Sequence, residues 1–259
     1  MLKIEKRSIS KTKLLNRIKF NSSLQKNSFI DWQKKIYNLI LKDKFSKKEV
    51  NILDVGAGTG LQTEIFTRKF KNSQIICIDK SKSSLSYLKK KYKKNNIKTQ
   101  TMDFDKIKNF FFKKKLPIIK FDIIHSSYAL YYSKNPKELL SELYRLLNYR
   151  GIFIVAAPDK PHEMLDFVNK FGKVPNKVLK TILFSKKICF PFFKSKSNKV
   201  GIFSKINYIK FKKCNDFLKF WKNTTYYNVK YLKKIQKELL KKKSLNFKKT
   251  ASIIYLQKM

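Results

Sequence analysis

The chain has 259 residues, 42% hydrophobic and 14% aromatic, so it can build one full-sized core, or one core plus a modest appended lobe, and is not a disordered tail protein. Its 61 lysines and arginines against 17 aspartates and glutamates give a net charge of +44. No apolar run approaches the roughly 18 residues that span a bilayer, and the first residues lack a secretion signal, so we expect a cytoplasmic protein without a transmembrane segment.

The excess of positive charge has two explanations. Lys, Asn, Ile and Phe have A/T-rich codons, so genomic base composition accounts for abundant lysine together with scarce alanine and glycine. The alternative is a real role at a polyanion or membrane surface. Few of the cations are arginine, the residue that binds phosphate with two hydrogen bonds, and the lysines are spread over every region. We therefore expect weak, salt-sensitive association with anionic surfaces but no specific nucleic-acid binding.

The middle of the chain alternates between strand and helix patterns. Apolar runs predict strands at 50–55, 74–79, 121–126 and 152–157, the last stopped by Pro158, and a third strand is expected at 97–101. Apolar residues at helical spacing predict helices at 61–70, after Ser81 as N-cap, and after Asn135, where Pro136 takes the first helical position. Strands buried on both faces and alternating with helices indicate an α/β fold with a parallel sheet covered on two sides.

The flanking segments differ from this core. A helix is predicted at 29–41, a strand at 206–211, a basic amphipathic helix at 229–240 and a closing strand at 250–257. We divide the chain into an N-terminal helical segment (1–47), an α/β core (48–158), an inserted cap (159–204) and a C-terminal part of the core sheet (205–259). The cap and the N-terminal helix near Trp32 are expected to form a lid over the acceptor site.

Three of the six glycines fall within five residues, directly after the first strand: Gly56, Gly58 and Gly60. Their spacing fits neither the dinucleotide pattern G-x-G-x-x-G nor a P-loop. Asp54 ends the preceding strand, where a carboxylate would repel a pyrophosphate but could hold a cationic ammonium, directly or through water. The combination favours S-adenosylmethionine, which carries an ammonium and no phosphate.

The segment from Asp54 to Gly60, with Ala57 between the first two glycines, resembles the first motif of class I S-adenosylmethionine-dependent methyltransferases. The resemblance covers residues 50–157. It implies a Rossmann-like, mostly parallel seven-stranded sheet with helices on both faces and an inserted helical cap after strand five. It also implies that S-adenosyl-L-methionine is the cofactor, bound in part by Asp54, Gly56, Ala57, Gly58 and Gly60.

The resemblance assigns further cofactor-binding residues downstream. Asp79, at the end of the second strand and followed by Lys80, would bind the ribose hydroxyls, because a carboxylate accepts both protons. Asp103 would meet the adenine amino group, with Phe104 packed on the ring. Ser126, in the fourth strand, completes the set. For each acid, capping of a strand or loop is the alternative.

His125 and His162 are the candidate general bases, because histidine exchanges a proton near neutral pH. Lining of the pocket is the alternative for both. A bound sulfonium is already a strong methyl donor, so alignment of donor and acceptor can supply much of the rate without a base. The catalytic residues therefore stay unassigned, and the two histidines and three separated cysteines predict no metal site.

The expected function is methyl transfer to O, N or C of a small-molecule or carrier-bound acceptor. One alternative, suggested by the charge, is an rRNA or tRNA methyltransferase. However, Ser126-Ser127-Tyr128-Ala129 stands where amino-group nucleic-acid methyltransferases have Asn-Pro-Pro-Tyr or Asp-Pro-Pro-Tyr. The other alternative is a non-catalytic member of the fold that binds a cofactor or a partner.

Overall fold

The computed structural model describes residues 29–42, 44–45, 49–92, 96–112 and 120–259, together with single positions between 12 and 19. Seven strands form one sheet in the order β3-β2-β1-β4-β5-β7-β6. They are β1 (Val50–Val55), β2 (Ser73–Asp79), β3 (Ile97–Thr101), β4 (Phe121–Ser127), β5 (Leu147–His162), β6 (Val200–Phe211) and β7 (Leu245–Gln257). β1 to β5 pair in parallel, and β7 lies antiparallel between β5 and β6. The predicted Rossmann-like sheet is thereby confirmed.

Helices cover both faces of this sheet. They are α1 (Phe29–Ile40), α2 (Thr63–Lys69), α3 (Lys82–Lys91), α4 (Ile107–Phe112), α5 (Pro136–Leu146), α6 (Glu163–Phe171), α7 (Asn176–Thr181), α8 (Phe190–Lys194), α9 (Cys214–Lys222) and α10 (Leu232–Leu240). The predicted caps are present: Ser81 accepts from the Ser84 amide before α3, and Asn135 accepts from the Glu138 amide before α5.

Alternate residues of the strands pack in two separate hydrophobic cores, one on each face of the sheet. Leu53 of β1 packs in the cluster that contains α4 and α5, whereas its neighbour Ile52 packs in the cluster that contains α1, α2 and α3. Because successive side chains of a strand point to opposite faces, a strand that buries both must be apolar throughout. This explains why the apolar runs of the sequence locate β1, β2, β4 and the central part of β5, whereas β3 (Ile-Lys-Thr-Gln-Thr) buries only Ile97 fully.

A third core builds a lobe at one end of the sheet. β6 and β7 pair beyond the last residue of β5, and α6, α7, α9 and α10 pack on this two-stranded arm around the fully buried Trp221. The lobe combines part of the segment predicted as a cap with residues after 205. The rest of that segment, including Phe184 and Phe193, packs on the main sheet.

The prediction that Pro158 stops the fifth strand was wrong. β5 continues to His162, and Pro158 lies opposite Ala251 of β7. The last residue of β5 that pairs with β4 is Ala156, so beyond it β5 has a partner on one side only, and a proline is tolerated at such an edge. Within the described ranges, no helix has the length and apolar character needed to cross a bilayer.

The contribution of the core can be measured on α5. Leu140 is completely buried, so Leu140→Ala should lower the free energy of unfolding by about 2–5 kcal/mol in chemical denaturation. Leu240, which is 88% exposed at the end of α10, provides the matched control, and Leu240→Ala should change it by less than about 0.5 kcal/mol. Equal losses in the two variants would contradict this packing.

Candidate active site

The turn after β1 is built from backbone conformations that glycine adopts most readily. Gly56, Gly58 and Gly60 have φ angles of 72°, 55° and 79°. The amides of Gly56 and Ala57 both donate to the Ile78 carbonyl, at 2.8 and 3.1 Å, which fixes the turn to the end of β2. A Cβ on Gly56 would lie 2.3 Å from the Cβ of Ala129. The close glycine spacing thus has a steric cause, and we call residues 56–60 the glycine loop.

Asp79, the last residue of β2, holds the centre of the glycine loop. Its Oδ2 accepts from the Gly58 amide at 2.9 Å, and its Oδ1 accepts from the Ser81 amide at 2.8 Å. Burial raises the pKa of this carboxyl group, although both amide hydrogen bonds oppose the shift. Each oxygen keeps a further lone pair, so the carboxylate can still accept from the hydroxyls of a ligand.

The remaining predicted adenine-site residues meet at the same edge of the sheet. The Met102 amide donates to the Asp79 carbonyl at 3.0 Å, which brings the ends of β2 and β3 together. Asp103 accepts from the Lys80 ammonium at 3.0 Å and from the Asp105 amide at 3.2 Å. Burial opposes ionisation of Asp103, but these contacts lower the pKa of its carboxyl group. Phe104 directly follows, half-buried at the start of a 3₁₀ turn.

Asp54 is turned into the protein. It is 2% exposed; its Oδ1 lies 2.9 Å from Nδ1 of His125, and its Oδ2 accepts from the Thr63 hydroxyl at 2.6 Å. The geometry therefore shows no carboxylate oxygen turned outward for a direct contact with an ammonium. The carboxylate holds the start of α2, and hence the far end of the glycine loop, from the inside. Its role toward a cofactor stays a prediction.

His125 does not have the geometry of a general base. Its side chain is fully buried, and its Nε2 lies 2.9 Å from the hydroxyl of Tyr37 while Nδ1 bonds Asp54. Both ring nitrogens are thus used inside the protein. Ser126 is similar, because its hydroxyl donates to the Val55 carbonyl at 2.8 Å and links β4 to β1. Its predicted contact with a cofactor stays a prediction.

A pocket opens at the carboxyl ends of β4 and β5. It has an empty volume of about 550 Å³, a figure that includes space open to solvent. It adjoins the glycine loop, because Tyr128 lines it and the next residue, Ala129, contacts Gly56. The polar lining residues are Tyr128, Tyr131, Tyr132, His162, Thr181, Thr224, Thr225, Tyr226 and Lys249.

His162 lines this pocket as a neutral imidazole. Burial, together with the charge of Lys249 across the β5–β7 pairing, lowers the pKa of His162 to about 3. Its Nδ1 accepts from the Leu165 amide at 3.3 Å as the N-cap of α6, so the ring proton is on Nε2. In this state His162 can donate a hydrogen bond from Nε2 but cannot serve as a base near neutral pH.

Several residues of the site escaped the sequence analysis. Three of them lie far from the glycine motif in sequence: Gln33 and Tyr37 of α1, and Lys249 of β7. Thr63, at the start of α2, lies close to it but belongs to no motif of its own. One signal was available: Gln33 and Tyr37 place two polar groups four residues apart on the buried face of α1.

The architecture is that of class I S-adenosylmethionine-dependent methyltransferases. It combines a seven-stranded sheet with one antiparallel strand, a glycine loop after β1, and acids at the ends of β2 and β3. A sequence model described as a methyltransferase domain matches residues 46–204, more than half of the chain, and the chain therefore belongs to this methyltransferase family. The cofactor of the class is S-adenosyl-L-methionine.

Two curated relatives are malonyl-[acyl-carrier protein] O-methyltransferases. The one from Ilyobacter polytropus is 30% identical over 106 residues, covering 41% of this chain and 37% of the relative. The one from Bacillus cereus is 26% identical over 151 residues, covering 56% and 52%. The chain thus spans about half the length, or less, of these relatives. A solved plantazolicin methyltransferase shares the fold, with a TM-score of 0.52, 13% identity and coverage of 96% of this chain and 90% of that one.

Asp79 gives a test of the cofactor site. Asp79→Asn should weaken S-adenosylmethionine binding by about 1.5–3 kcal/mol in calorimetry, the scale of lost charge-assisted hydrogen bonds. Because burial raises the pKa of Asp79, it takes up a proton at a higher pH than an ordinary aspartate does, and wild-type affinity should begin to fall correspondingly early on acidification.

The asparagine variant should lack this acid-dependent part of the binding curve. The control is Asp216→Asn. Asp216 lies near the start of α9 and pairs with Lys219, so this variant should bind S-adenosylmethionine as the wild type does. Unchanged affinity in Asp79→Asn at neutral pH would remove Asp79 from the cofactor site.

Proposed function

We propose that the protein transfers the methyl group of S-adenosylmethionine to a small-molecule or carrier-bound acceptor. The observation that carries the proposal is the position of the pocket: it adjoins a glycine loop that is fixed to Asp79, in a chain of the methyltransferase family. The glycine loop and the pocket both lie at the carboxyl ends of the strands. They are therefore adjacent, as a donor site and an acceptor site must be.

For the donor, we propose that the glycine loop approaches the amino-acid part of the cofactor and that Asp79 accepts from the ribose hydroxyls. Asp103 and Phe104 then hold the adenine, and Lys80 positions Asp103 through their ion pair. When bound, the cofactor supplies a methyl group on a positively charged sulfur. Asp54 and Ser126 act on this site from inside the sheet, where their hydrogen bonds fix β1, β4 and α2.

For the acceptor, the chemistry of the pocket favours an anion. Lys249 lines it, His162 can only donate a hydrogen bond there, and among the described residues of the lining none is acidic. A carboxylate is already deprotonated at neutral pH, so no residue has to remove a proton from it. This agrees with two histidines that are both unsuited as bases, and with relatives named for a malonyl group on a carrier protein.

We propose that the lobe of α6, α7, α9 and α10 is the cap of the acceptor site. Leu165, Val178 and Phe220, from three helices of this lobe, line the pocket. The cap therefore includes part of the predicted segment 159–204 and also the segment after β6. A cover of this kind excludes water from the transfer. Free thiols at all three cysteines fit the expected cytoplasmic location.

The proposal is tested by offering labelled S-adenosylmethionine and separated cell fractions at near-physiological salt. We expect label in the acyl-carrier or small-acid fraction and only weak, substoichiometric label in RNA. Retention on RNA at low salt would say little, since +44 charges bind any polyanion and release it as salt rises. Stoichiometric labelling of one RNA site would instead establish the RNA methyltransferase alternative.

Lys249 tests the nature of the acceptor. With a malonyl group on acyl carrier protein as probe, Lys249→Gln should raise KM about tenfold, equivalent to ~1.4 kcal/mol, and leave S-adenosylmethionine affinity unchanged. Lys248→Gln is the control, because its side chain is exposed and it is not among the pocket residues. Equal KM values in both variants would exclude Lys249 from acceptor binding.

A further inference from the structure

A chain of buried hydrogen bonds runs from α1 to the glycine loop. Tyr37 contacts His125, His125 contacts Asp54, and Asp54 contacts Thr63, at 2.9, 2.9 and 2.6 Å. We propose that Tyr37 is a positioning residue through which docking of α1 is energetically coupled to cofactor binding. The inference rests on the cofactor site proposed above.

The hydrogen bonds of this chain converge on the carboxylate of Asp54 from both sides. Burial and the Asp54 carboxylate raise the pKa of Tyr37, which keeps its hydroxyl protonated and able to donate to Nε2 of His125. Nδ1 of His125 then donates to Asp54, and Thr63 donates to the other carboxylate oxygen. Every polar atom in the path has its partner, so removal of one hydroxyl leaves a buried neighbour unsatisfied.

A second contact path joins the same two elements. Gln33, one turn before Tyr37, donates from Nε2 to the Ser127 hydroxyl at 3.2 Å, and its Oε1 accepts from Gln62 at 3.4 Å. Ser127 ends β4, next to the pocket residue Tyr128, and Gln62 directly precedes α2. α1 is therefore bonded to both sides of the site: the end of β4 and the end of the glycine loop.

Helix α1 is well suited to respond to these contacts. It has 12 residues, and a helix of this length is marginal in water, so it depends on packing and hydrogen bonding to the core. Its buried side chains Tyr37 and Ile40, and Leu41 directly after the helix, pack in the same cluster as Ala57 of the glycine loop. If docked α1 favours the bound form of the loop, then by linkage a bound cofactor must favour docked α1 to the same degree.

The experiment measures both directions of this coupling in the full chain with S-adenosylhomocysteine as the probe. Hydrogen exchange of the amides of 29–41 should slow when the probe binds to the wild type. Tyr37→Phe keeps the ring that stacks on Phe66 and removes only the hydroxyl, and it should weaken probe binding about 5- to 50-fold and reduce the added protection of α1.

Tyr144→Phe is the matched control. Its hydroxyl donates to the Lys196 carbonyl, and Tyr144 lies at the end of α5, next to the start of β5 and so at the opposite edge of the sheet from the glycine loop. This variant should bind the probe as the wild type does. A double-mutant cycle of Tyr37→Phe with Asp54→Asn should show a smaller combined loss than the sum, because both changes break one path.

The possible results separate this inference from the proposed function. If the wild type does not bind the probe, the cofactor site and the coupling both fail. If it binds, but α1 gains no protection and Tyr37→Phe binds as tightly as Tyr144→Phe, only the coupling fails. A lowered unfolding midpoint of Tyr37→Phe with unchanged affinity would show that the hydroxyl only stabilises the fold, which also overturns the inference.

Discussion

The buried carboxylate of Asp54 is the constraint on which the site depends. A charge taken out of water is costly unless hydrogen bonds satisfy it, so this side chain requires donors from other elements. His125 and Thr63 provide them, and Tyr37 completes the set at the far side of the imidazole. One side chain thus sets the relative positions of β1, β4, α2 and α1, and the glycine loop is held between two of these elements.

The sequence predicts local features of this arrangement but not its connections. Gly56, Gly58 and Gly60 predict a tight turn because few other residues adopt such φ angles. The apolar runs in β1, β2, β4 and β5 predict strands because both faces are buried there. Contact between Asp54 and His125, however, requires β1 and β4 to be neighbours although two strands separate them along the chain. Their partnership follows from sheet order, which no local pattern contains.

The sequence predictions failed in two places: where a strand has a partner on one side only, and where the lobe adds helices beyond the main sheet. A proline normally ends a strand, but Pro158 stands where β5 has lost one partner, so the missing amide costs nothing there. The outer end of β7, residues 245–249, was missed because it buries only one face, against the lobe around Trp221. The start of β6, residues 200–205, was missed because none of its residues is fully buried on this edge strand. The helices of that lobe come from two separate segments, so a single inserted cap was the simpler expectation from sequence.

The charges of the molecule act differently at the two halves of the site. A cofactor with a net positive charge approaches a protein of net charge +44, yet charges in water are screened beyond about 8 Å at physiological salt. Of the three acids at the ends of β1, β2 and β3, Asp54 is enclosed by His125 and Thr63 and Asp103 pairs with Lys80, whereas Asp79 can still accept from a ligand. The acceptor side has Lys249 and no acid among its described lining residues. Under the proposed function, the acid at the donor half suits a cationic cofactor and Lys249 at the acceptor half suits an anionic acceptor, whatever the origin of the remaining lysines.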